Sequence, residues 1–311
     1  MSEVTVSIVN TNGRELLLAC LDSLHRSLTG EVAVEIAVLD NASEDGSVEA
    51  VRERFPGVRV IPQQFRAGFP ANHNRVIRET SGRYVFVLNE DTASDDWGFA
   101  RLVAALDRDP HIGALGPKLA YPDGRQQPSA WRFPSPLVSL LGVPTVGQAG
   151  IRQSRGEHPR TVDWVMGAAM LLRRSALEEV GLLDESFFIY FEEVDLCLRL
   201  RRAGWKILFF PAVTVVHHES QFSVDVPERR INEMWQGRHR YWRKNHTPTG
   251  ARIAALATGA QYLAAGTLGF FRGPAYRQSM RLHARNALRV DGPGLRELAE
   301  AWNARARSGE S

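Results

Sequence analysis

Short β-branched runs alternate with amphipathic helical stretches through the first 115 residues, and this alternation constrains the fold more than any other feature. Strands are predicted at 4–9, 35–39, 58–61 and 84–88, and helices at 13–28, 48–55, 71–80 and 97–108. The first of these helices places Leu17, Leu21 and Leu24 on one face. Strands joined by helices of this length predict a parallel sheet with crossover helices, which is a Rossmann-like α/β architecture.

The chain is large enough, at 311 residues with 44% hydrophobic composition, to bury one large core or one core with an appendage. Its two cysteines, Cys20 and Cys197, lie in helical patterns without a C-x-x-C pair, so neither a disulfide nor a zinc site is predicted. Both are expected to be buried in a reducing compartment. The opening MSEVTVSIV reads as a strand rather than a signal peptide, which favours a cytoplasmic location.

Polar residues follow the predicted strands, where α/β sheets bind their ligands. Asn10 to Gly13 follow the first strand, Asp40 and Asn41 the second, and the run Asn89-Glu90-Asp91 the fourth. No G-x-G-x-x-G follows the first strand and no P-loop pattern occurs, so a dinucleotide dehydrogenase and a P-loop enzyme are both disfavoured. We therefore expect a nucleotide site built from side chains.

The run Asn89-Glu90-Asp91 also suggests a metal. Asn89 and Asp91 are two residues apart, so on an extended segment they point the same way. Hard oxygen ligands of this kind suit Mg²⁺ or Mn²⁺ bridging a diphosphate. The alternative is a turn in which these side chains only open the next helix.

Three carboxylates crowd the start of another predicted helix, where the strand-like aromatic run at 187–191 ends. They are Glu192, Glu193 and Asp195. One could serve as a general base. The structural alternative is that acidic residues simply favour a helix N-terminus, with Asp195 and Arg199 forming an i,i+4 pair. We assign the structural role to Asp195 and leave both roles open for Glu192.

Six segments occur in an order that resembles the inverting family 2 glycosyltransferases, and within them a rhamnosyltransferase-like branch. These are SIVNTNGRELLLACLDSL, VLDNASEDGS, RAGFPANHNRVI, GRYVFVLNEDT, VDWVMGAAMLLRRSALEEVGLLDESFFIYFEEVDLCLRLRRAG and PAVTVVHHE. The resemblance implies the GT-A fold: an α/β, mostly parallel central sheet flanked by helices, with a C-terminal helical extension. It divides the chain into a nucleotide-sugar half at 1–115, an acceptor half at 116–225 and the extension at 226–311.

The resemblance also implies a donor site. Thr11 and Asp40 would contact the base and ribose of a nucleoside-diphosphate sugar, with Gly68 and Asn74 nearby. Asn89, Glu90 and Asp91 would hold the diphosphate and a divalent metal, Mg²⁺ or Mn²⁺, with Asp91 as the direct ligand and His217 as a further metal contact. The branch commonly has proline where this chain has Glu90, so that carboxylate would join or disturb the metal shell.

The acceptor side follows from the same resemblance. Trp164 and Gly167, in the segment DWVMG, would line it, Glu192 would orient the acceptor, and Glu193 occupies the position of the catalytic base. The branch commonly has aspartate there, so the base of this chain is one methylene longer. Burial is expected to raise the pKa of Glu193 towards working pH.

The C-terminal 86 residues are basic. Residues 226–311 contain 15 Lys and Arg against 6 Asp and Glu, whereas the preceding residues carry 23 against 29. The uncharged run 253–271 is marginal for spanning a membrane. Arg277, Arg281, Arg285 and Arg289 would form one stripe on a helix, which is either a solvated face or a contact with an anionic membrane surface. We expect no nucleic-acid partner.

The predicted function is a metal-dependent, inverting transfer of a sugar, with rhamnose favoured, onto a cell-envelope glycan or polyprenyl-linked acceptor. The donor would be dTDP-rhamnose or a UDP-sugar, and the enzyme would lie in the cytoplasm or at the inner face of the membrane. Two alternatives remain: a nucleotidyltransferase, and a catalytically inactive, membrane-associated module that binds nucleotide sugars.

Overall fold

A central mixed sheet organises the molecule. The computed structural model describes residues 2–141, 151–219 and 226–308, so the proposed domain boundary at 225 lies outside the described residues. The strands are β1 Val4–Asn10, β2 Val34–Asp40, β3 Arg59–Pro62, β4 Tyr84–Asn89, β5 Thr92–Ala93, β6 Ile112–Ala120, β7 Gln126–Gln127, β8 Ala130–Trp131, β9 Arg160–Val162, β10 Trp164–Val165, β11 Ala169–Arg173 and β12 Lys206–His217.

The sheet order is β3-β2-β1-β4-β11-β6-β12-β5, with β7 on β6 and β9 on β12. The first four strands of this order are parallel. β11 runs antiparallel to both β4 and β6, and β12 is parallel to β6. Because β1, β2 and β4 are parallel, their carboxyl ends meet at one edge, and the polar residues that follow them are brought together there.

Helices cover both faces of this sheet and then continue beyond it. They are α1 Arg14–Arg26, α2 Ser47–Arg54, α3 Phe69–Glu79, α4 Phe99–Arg108, α5 Pro136–Leu141, α6 Arg174–Val180, α7 Glu192–Arg202, α8 Pro227–Asn245, α9 Pro248–Leu268, α10 Pro274–Leu288 and α11 Leu295–Ser308. The four strands and four helices predicted for the amino-terminal part are all found, with ends within two residues of the predicted ones.

The prediction of a strand-like run at 187–191 is wrong. These residues form bends and turns rather than a strand. Tyr190 and Phe191 have φ angles of 72° and 74°, in a backbone region that residues other than glycine rarely adopt. The aromatic residues are buried for another reason: Phe187 and Phe191 pack beneath the C-terminal helices.

The C-terminal extension shares a hydrophobic core with the rest of the molecule. Trp235, Trp242 and Tyr262 pack with Phe187 and Phe191 in one buried cluster. Trp242 also donates a hydrogen bond from Nε1 to the carbonyl oxygen of Pro134, at 2.8 Å. The extension is therefore packed onto the α/β core.

Within the described parts of the chain, no helix has the length and apolarity needed to cross a membrane. The predicted arginine stripe is only partly formed. Arg277, Arg281 and Arg285 lie on α10, but Arg289 follows the end of that helix and pairs with Asp291 at 2.8 Å. Arg285 lies 3.7 Å from Glu228.

Candidate active site

A cavity of about 560 Å³ lies at the carboxyl edge of the sheet and extends towards the C-terminal helices. It brings together residues that are far apart in the sequence, since its wall includes loops after β1, β2 and β4, the start of α7 and the end of β12. The predicted site residues that line it are Thr11, Asn89, Glu90, Asp91, Trp164, Gly167, Glu192, Glu193 and His217.

Asp91 and His217 face each other in this cavity, and both are buried. Asp91 Oδ1 lies 3.3 Å from His217 Nε2, and Asn89 Nδ2 lies 3.4 Å from the same nitrogen. On its other side, the His217 ring contacts Gln127 Oε1 through Nδ1, at 3.0 Å. Gln127 donates its amide proton to Glu219, so its Oε1 must accept, and the ring proton of His217 belongs on Nδ1.

This tautomer leaves the Nε2 lone pair directed at a carboxylate oxygen. Asp91 Oδ1 is buried and has no hydrogen-bond partner among the described residues. Two electron-rich atoms at this distance repel each other, and a cation bound between them would offset that repulsion. The oxygen and imidazole donors fit a divalent cation. No cluster of three or more His, Cys, Asp or Glu side chains in the described residues would hold a metal by itself, so other ligands would come from substrate and water.

Glu90 is also in the cavity wall, but its chemistry differs from that of Asp91. Burial, and then the charge of Asp91, raise the pKa of Glu90 to about 8. A carboxyl group with this pKa is mostly protonated at neutral pH. Its side chain packs beside Gly13, where an added Cβ would lie 3.2 Å from Glu90 Cγ.

Glu192 and Glu193 begin α7 and are both buried. The Oε2 atom of each is buried without a hydrogen-bond partner in the described chain. Burial raises the pKa of Glu193 to about 7, in the direction predicted for a general base. Burial, followed by the charge of Glu193, raises the pKa of Glu192 well above its ordinary value. Tyr190 and Phe191, which have positive φ angles, immediately precede these two carboxyl groups in the chain.

Asp195 has the structural role assigned to it. Its carboxylate accepts hydrogen bonds from Arg199 at 2.9 Å, Lys244 at 2.9 Å and Asn245 at 3.2 Å. The predicted i,i+4 pair with Arg199 is confirmed. Because Lys244 and Asn245 belong to α8, this buried carboxylate ties α7 to the C-terminal extension.

The predicted acceptor residues lie beside Glu193. Trp164 stacks on Trp131 with ring centroids 4.5 Å apart, and its Nε1 donates to the carbonyl oxygen of Arg132 at 3.1 Å. At Gly167 an added Cβ would be 3.7 Å from the Glu193 Cβ and 3.5 Å from the Phe69 ring. Trp164 and Gly167 therefore line the same cavity as the buried Glu193 carboxyl group, where an aromatic ring can contact the C–H face of a sugar.

Three predicted donor residues do not line the cavity: Asp40, Gly68 and Asn74. The Asp40 carboxylate accepts from Asn10 Nδ2 at 3.1 Å and from the Ser43 amide at 2.9 Å, which shapes the loop after β2. At Gly68 an added Cβ would lie 2.5 Å from the Phe188 carbonyl oxygen, so this glycine permits a close backbone approach.

Asn74 supports the fold from behind the cavity. Its Nδ2 donates to the Leu183 carbonyl at 2.8 Å and to Glu185 at 2.9 Å, and its Oδ1 accepts from the Leu183 amide. It therefore fixes the segment leading to 187–191. Asn41, the residue after Asp40, does line the cavity, and its Nδ2 donates a hydrogen bond to Thr11 Oγ1 at 3.1 Å.

Several cavity residues were not anticipated from the sequence. They are Arg66, His73, Arg230, Arg238 and His283. Burial lowers the pKa of His73 to about 3, and its Nδ1 contacts Ser7 at 2.8 Å. No sequence spacing marks these residues as a group. Arg230 and Arg238 belong to α8, which contains several arginines, and only packing determines which of them face the cavity.

Known proteins resemble this chain in sequence and in structure. The family described as "Glycosyltransferase like family 2" matches residues 2–235. An N-acetylglucosaminyl-diphospho-decaprenol L-rhamnosyltransferase of Mycobacterium tuberculosis is 37% identical over 216 residues, 62% of this chain and 69% of that protein. Rhamnosyltransferase WbbL of Escherichia coli is 42% identical over 57 residues, 18% of this chain and 22% of that protein.

A solved structure is similar over nearly the whole chain. Mannosyltransferase PcManGT from Pyrobaculum calidifontis, in complex with GDP-Man and Mn²⁺, gives a TM-score of 0.60 at 17% identity. The match covers 92% of this chain and 86% of that one.

Proposed function

Because this chain belongs to glycosyltransferase family 2 and has the GT-A fold, we propose that it transfers rhamnose from a nucleoside-diphosphate donor to a lipid-linked cell-envelope glycan, with inversion. The predictions of family, fold and enzyme class are confirmed by the matches above. The sugar, the acceptor and the roles of individual residues are part of the proposal.

One observation supports the proposal most strongly: Asp91 and Glu193 line the same cavity. An inverting transfer needs a base on the acceptor side of the anomeric carbon and charge stabilisation on the leaving-group side. Glu193 lies beside the tryptophan-lined part of the cavity, whereas Asp91 lies with His217 at the end of the sheet. The two functions are therefore provided by different walls of one space.

In the proposed reaction, the acceptor hydroxyl oxygen attacks the anomeric carbon as the bond to the diphosphate breaks. Glu193 accepts the hydroxyl proton. A carboxylate with a pKa of about 7 is a stronger base than an exposed glutamate and is still largely ionised just above neutral pH. The raised pKa of Glu192 favours its protonated form, and that form would donate a hydrogen bond to the acceptor without adding a second negative charge.

Asp91 and His217 are the residues proposed to hold Mg²⁺ or Mn²⁺. Such an ion would neutralise charge on the departing diphosphate. Gln127 fixes the His217 ring so that Nε2 points into the cavity. The protonated Glu90 carboxyl group would be available to donate a hydrogen bond near the diphosphate.

The names of the relatives supply the substrate class. One relative is an L-rhamnosyltransferase of a diphospho-decaprenol acceptor, and the solved structure above holds GDP-Man with Mn²⁺. We propose a dTDP-rhamnose or UDP-sugar donor, with Thr11 and Asn41 near the nucleotide. Asp40, Gly68 and Asn74 would act on donor binding through the loops that they shape.

We also propose that the enzyme works at the inner membrane face, since its acceptor class is lipid-linked. Leucines on α5 and α9 are exposed, including Leu141 at 67% and Leu268 at 75%. The two helices pack together, and Gln261 of α9 donates a hydrogen bond to the Ser139 carbonyl of α5. Exposed leucines beside the basic α10 suit an anionic lipid surface.

Incubation with a panel of nucleoside-diphosphate sugars, with and without EDTA, tests the proposal. Release of nucleoside diphosphate that needs both a lipid-linked acceptor and a divalent metal is the expected result. Release of pyrophosphate from a nucleoside triphosphate would instead identify a nucleotidyltransferase. Binding without turnover would identify an inactive binding module.

A further inference from the structure

The cavity has a second arm, beyond the glutamates, whose wall belongs to the C-terminal helices. This C-terminal arm is lined by Arg230 and Arg238 of α8, His283 of α10 and Leu298 of α11. It is continuous with the cavity that holds Glu192 and Glu193.

Arg238 provides a buried positive charge in this arm. The residue is only 7% exposed. Its guanidinium lies 5.0 Å from the Trp235 ring centroid, 5.3 Å from Phe191 and 5.7 Å from Trp242. These rings fix the guanidinium plane, and removal from water strengthens its attraction for an anion in the cavity. Phe191 immediately precedes Glu192 in the chain, and Arg238 and Glu192 line the same cavity.

His283 adds a neutral hydrogen-bond donor. Its Nδ1 accepts a hydrogen bond from Trp235 Nε1 at 3.0 Å, so the ring proton is on Nε2. The ring also stacks on Tyr262, with centroids 4.7 Å apart. Burial, followed by the charges of Arg238 and Arg230, lowers the pKa of His283 to about 4. The ring is therefore neutral at pH 7, with Nε2–H as its donor.

Apolar side chains line the same arm. They are Ile231, Met234, Leu295, Leu298 and Ala299. A cationic cluster beside such a wall matches a ligand that carries an anionic head on an apolar chain. A free sugar or a soluble glycan offers neither feature.

We propose that the C-terminal arm binds the prenyl diphosphate part of the acceptor, with Arg238, Arg230 and His283 on the diphosphate and the apolar wall on the first prenyl units. This inference rests on the proposed function, which supplies a lipid-linked acceptor. The donor diphosphate has its own position beside Asp91 and His217. The extension is then a specificity element that selects lipid diphosphate acceptors.

Calorimetric titration with farnesyl diphosphate tests the site without turnover. The wild-type protein should bind farnesyl diphosphate, and Arg238→Gln should bind it at least about tenfold more weakly, since a charge-assisted contact is lost. Farnesol, which lacks the diphosphate, should bind weakly and equally to both proteins. Equal affinity of wild type and Arg238→Gln for farnesyl diphosphate would overturn the proposal.

Arg240→Gln is the matched control. Arg240 is on the same helix and its guanidinium lies 6.0 Å from the Phe187 ring, but it does not line the cavity. Its glutamine variant should bind like the wild type, and an equal loss in both variants would overturn the proposal. If circular dichroism shows that Arg238→Gln does not fold, Arg230→Gln, at a half-buried position, replaces it. This variant should bind farnesyl diphosphate several-fold more weakly than the wild type, and unchanged affinity would count against the proposal.

Competition separates the two diphosphate positions. A saturating nucleoside diphosphate should leave the affinity for farnesyl diphosphate within about twofold, whereas full displacement would place farnesyl diphosphate in the donor site and overturn the proposal. Sugar transfer without farnesyl diphosphate binding would refute this inference alone. Farnesyl diphosphate binding without transfer from any donor would refute the proposed function alone.

Discussion

Asp91 Oδ1 lies 3.3 Å from His217 Nε2, across 126 residues of sequence, and the proton of the His217 ring is held on the opposite nitrogen by Gln127. The contact joins the end of the parallel half of the sheet to the end of β12. It is the position that we propose for the divalent cation.

Replacing His217 with alanine should weaken Mn²⁺ binding at least about tenfold, because one of two proposed protein ligands is removed. Gln127→Ala should have a smaller effect in the same direction, since Gln127 only orients the ring. Titration of Mn²⁺ followed by electron paramagnetic resonance measures both. The exposed neighbour His218→Ala is the control, and unchanged Mn²⁺ affinity in His217→Ala would show that His217 is not a metal ligand.

Glu193→Gln should lower kcat by at least about a hundredfold, because a well-placed general base contributes ~10² to 10⁴ in rate. The amide cannot accept the acceptor proton but has nearly the same shape. Initial rates with saturating donor and acceptor measure the effect. Glu49→Gln, at an exposed position of α2 outside the cavity wall, is the control, and a loss of less than tenfold in Glu193→Gln would exclude Glu193 as the base.

The transfer rate should rise with pH and level off above about 7, since Glu193 must be ionised to act as a base and its pKa is about 7. A profile of log kcat between pH 5 and 9 tests this expectation. A rate that is already constant from pH 5 upwards would contradict it.

The same shift has a consequence for stability. The folded-state pKa of Glu193 is raised above its ordinary value of 4.5, so folding favours the protonated form, and this contribution is lost as pH rises from 4.5 through 7. Glu193→Gln, which carries no charge, should therefore raise Tm at pH 8 by roughly 2 °C or more and change it little at pH 4. Thermal unfolding followed by circular dichroism measures the difference. A lower Tm of Glu193→Gln than of the wild type at pH 8 would show that the ionised Glu193 carboxylate does not destabilise the fold.

Asp195→Ala should destabilise the protein by about 2 to 3 kcal/mol, because it leaves Arg199 and Lys244 without a buried carboxylate. Urea denaturation measures this change. The exposed pair of Asp123 with Arg125 gives the comparison, since Asp123→Ala removes an ion pair screened by solvent and should change stability much less. Equal costs for the two variants would show that the link between α7 and α8 is weak.

Replacing Arg277, Arg281 and Arg285 together with glutamate should reduce sedimentation with anionic liposomes severalfold, because α10 would then repel the lipid surface. Neutral liposomes provide the baseline. Replacing Arg52 of α2 together with Arg305 and Arg307 of α11 by glutamate is the control with the same change in charge. Equal partitioning of wild type and the α10 triple variant would remove α10 from the interaction.

The amino-terminal elements were predictable because their causes are local. A period of two in the strands and 3.6 in the helices is written in neighbouring residues, and the parallel arrangement follows from strands joined by helices. The position of Asn89, Glu90 and Asp91 at the sheet edge followed from the same reasoning. The run at 187–191 misled because its aromatic residues are buried by distant helices rather than by a strand.

The sequence by itself determined the α/β core, the polar edge of its sheet and the presence of carboxyl groups at the start of α7. Only the tertiary structure decided that Asp40, Gly68 and Asn74 shape loops while Arg238 and His283 enter the cavity. The physical reason is range: periodicity and turn chemistry act between neighbours, whereas the walls of a cavity are set by the packing of helices distant in sequence.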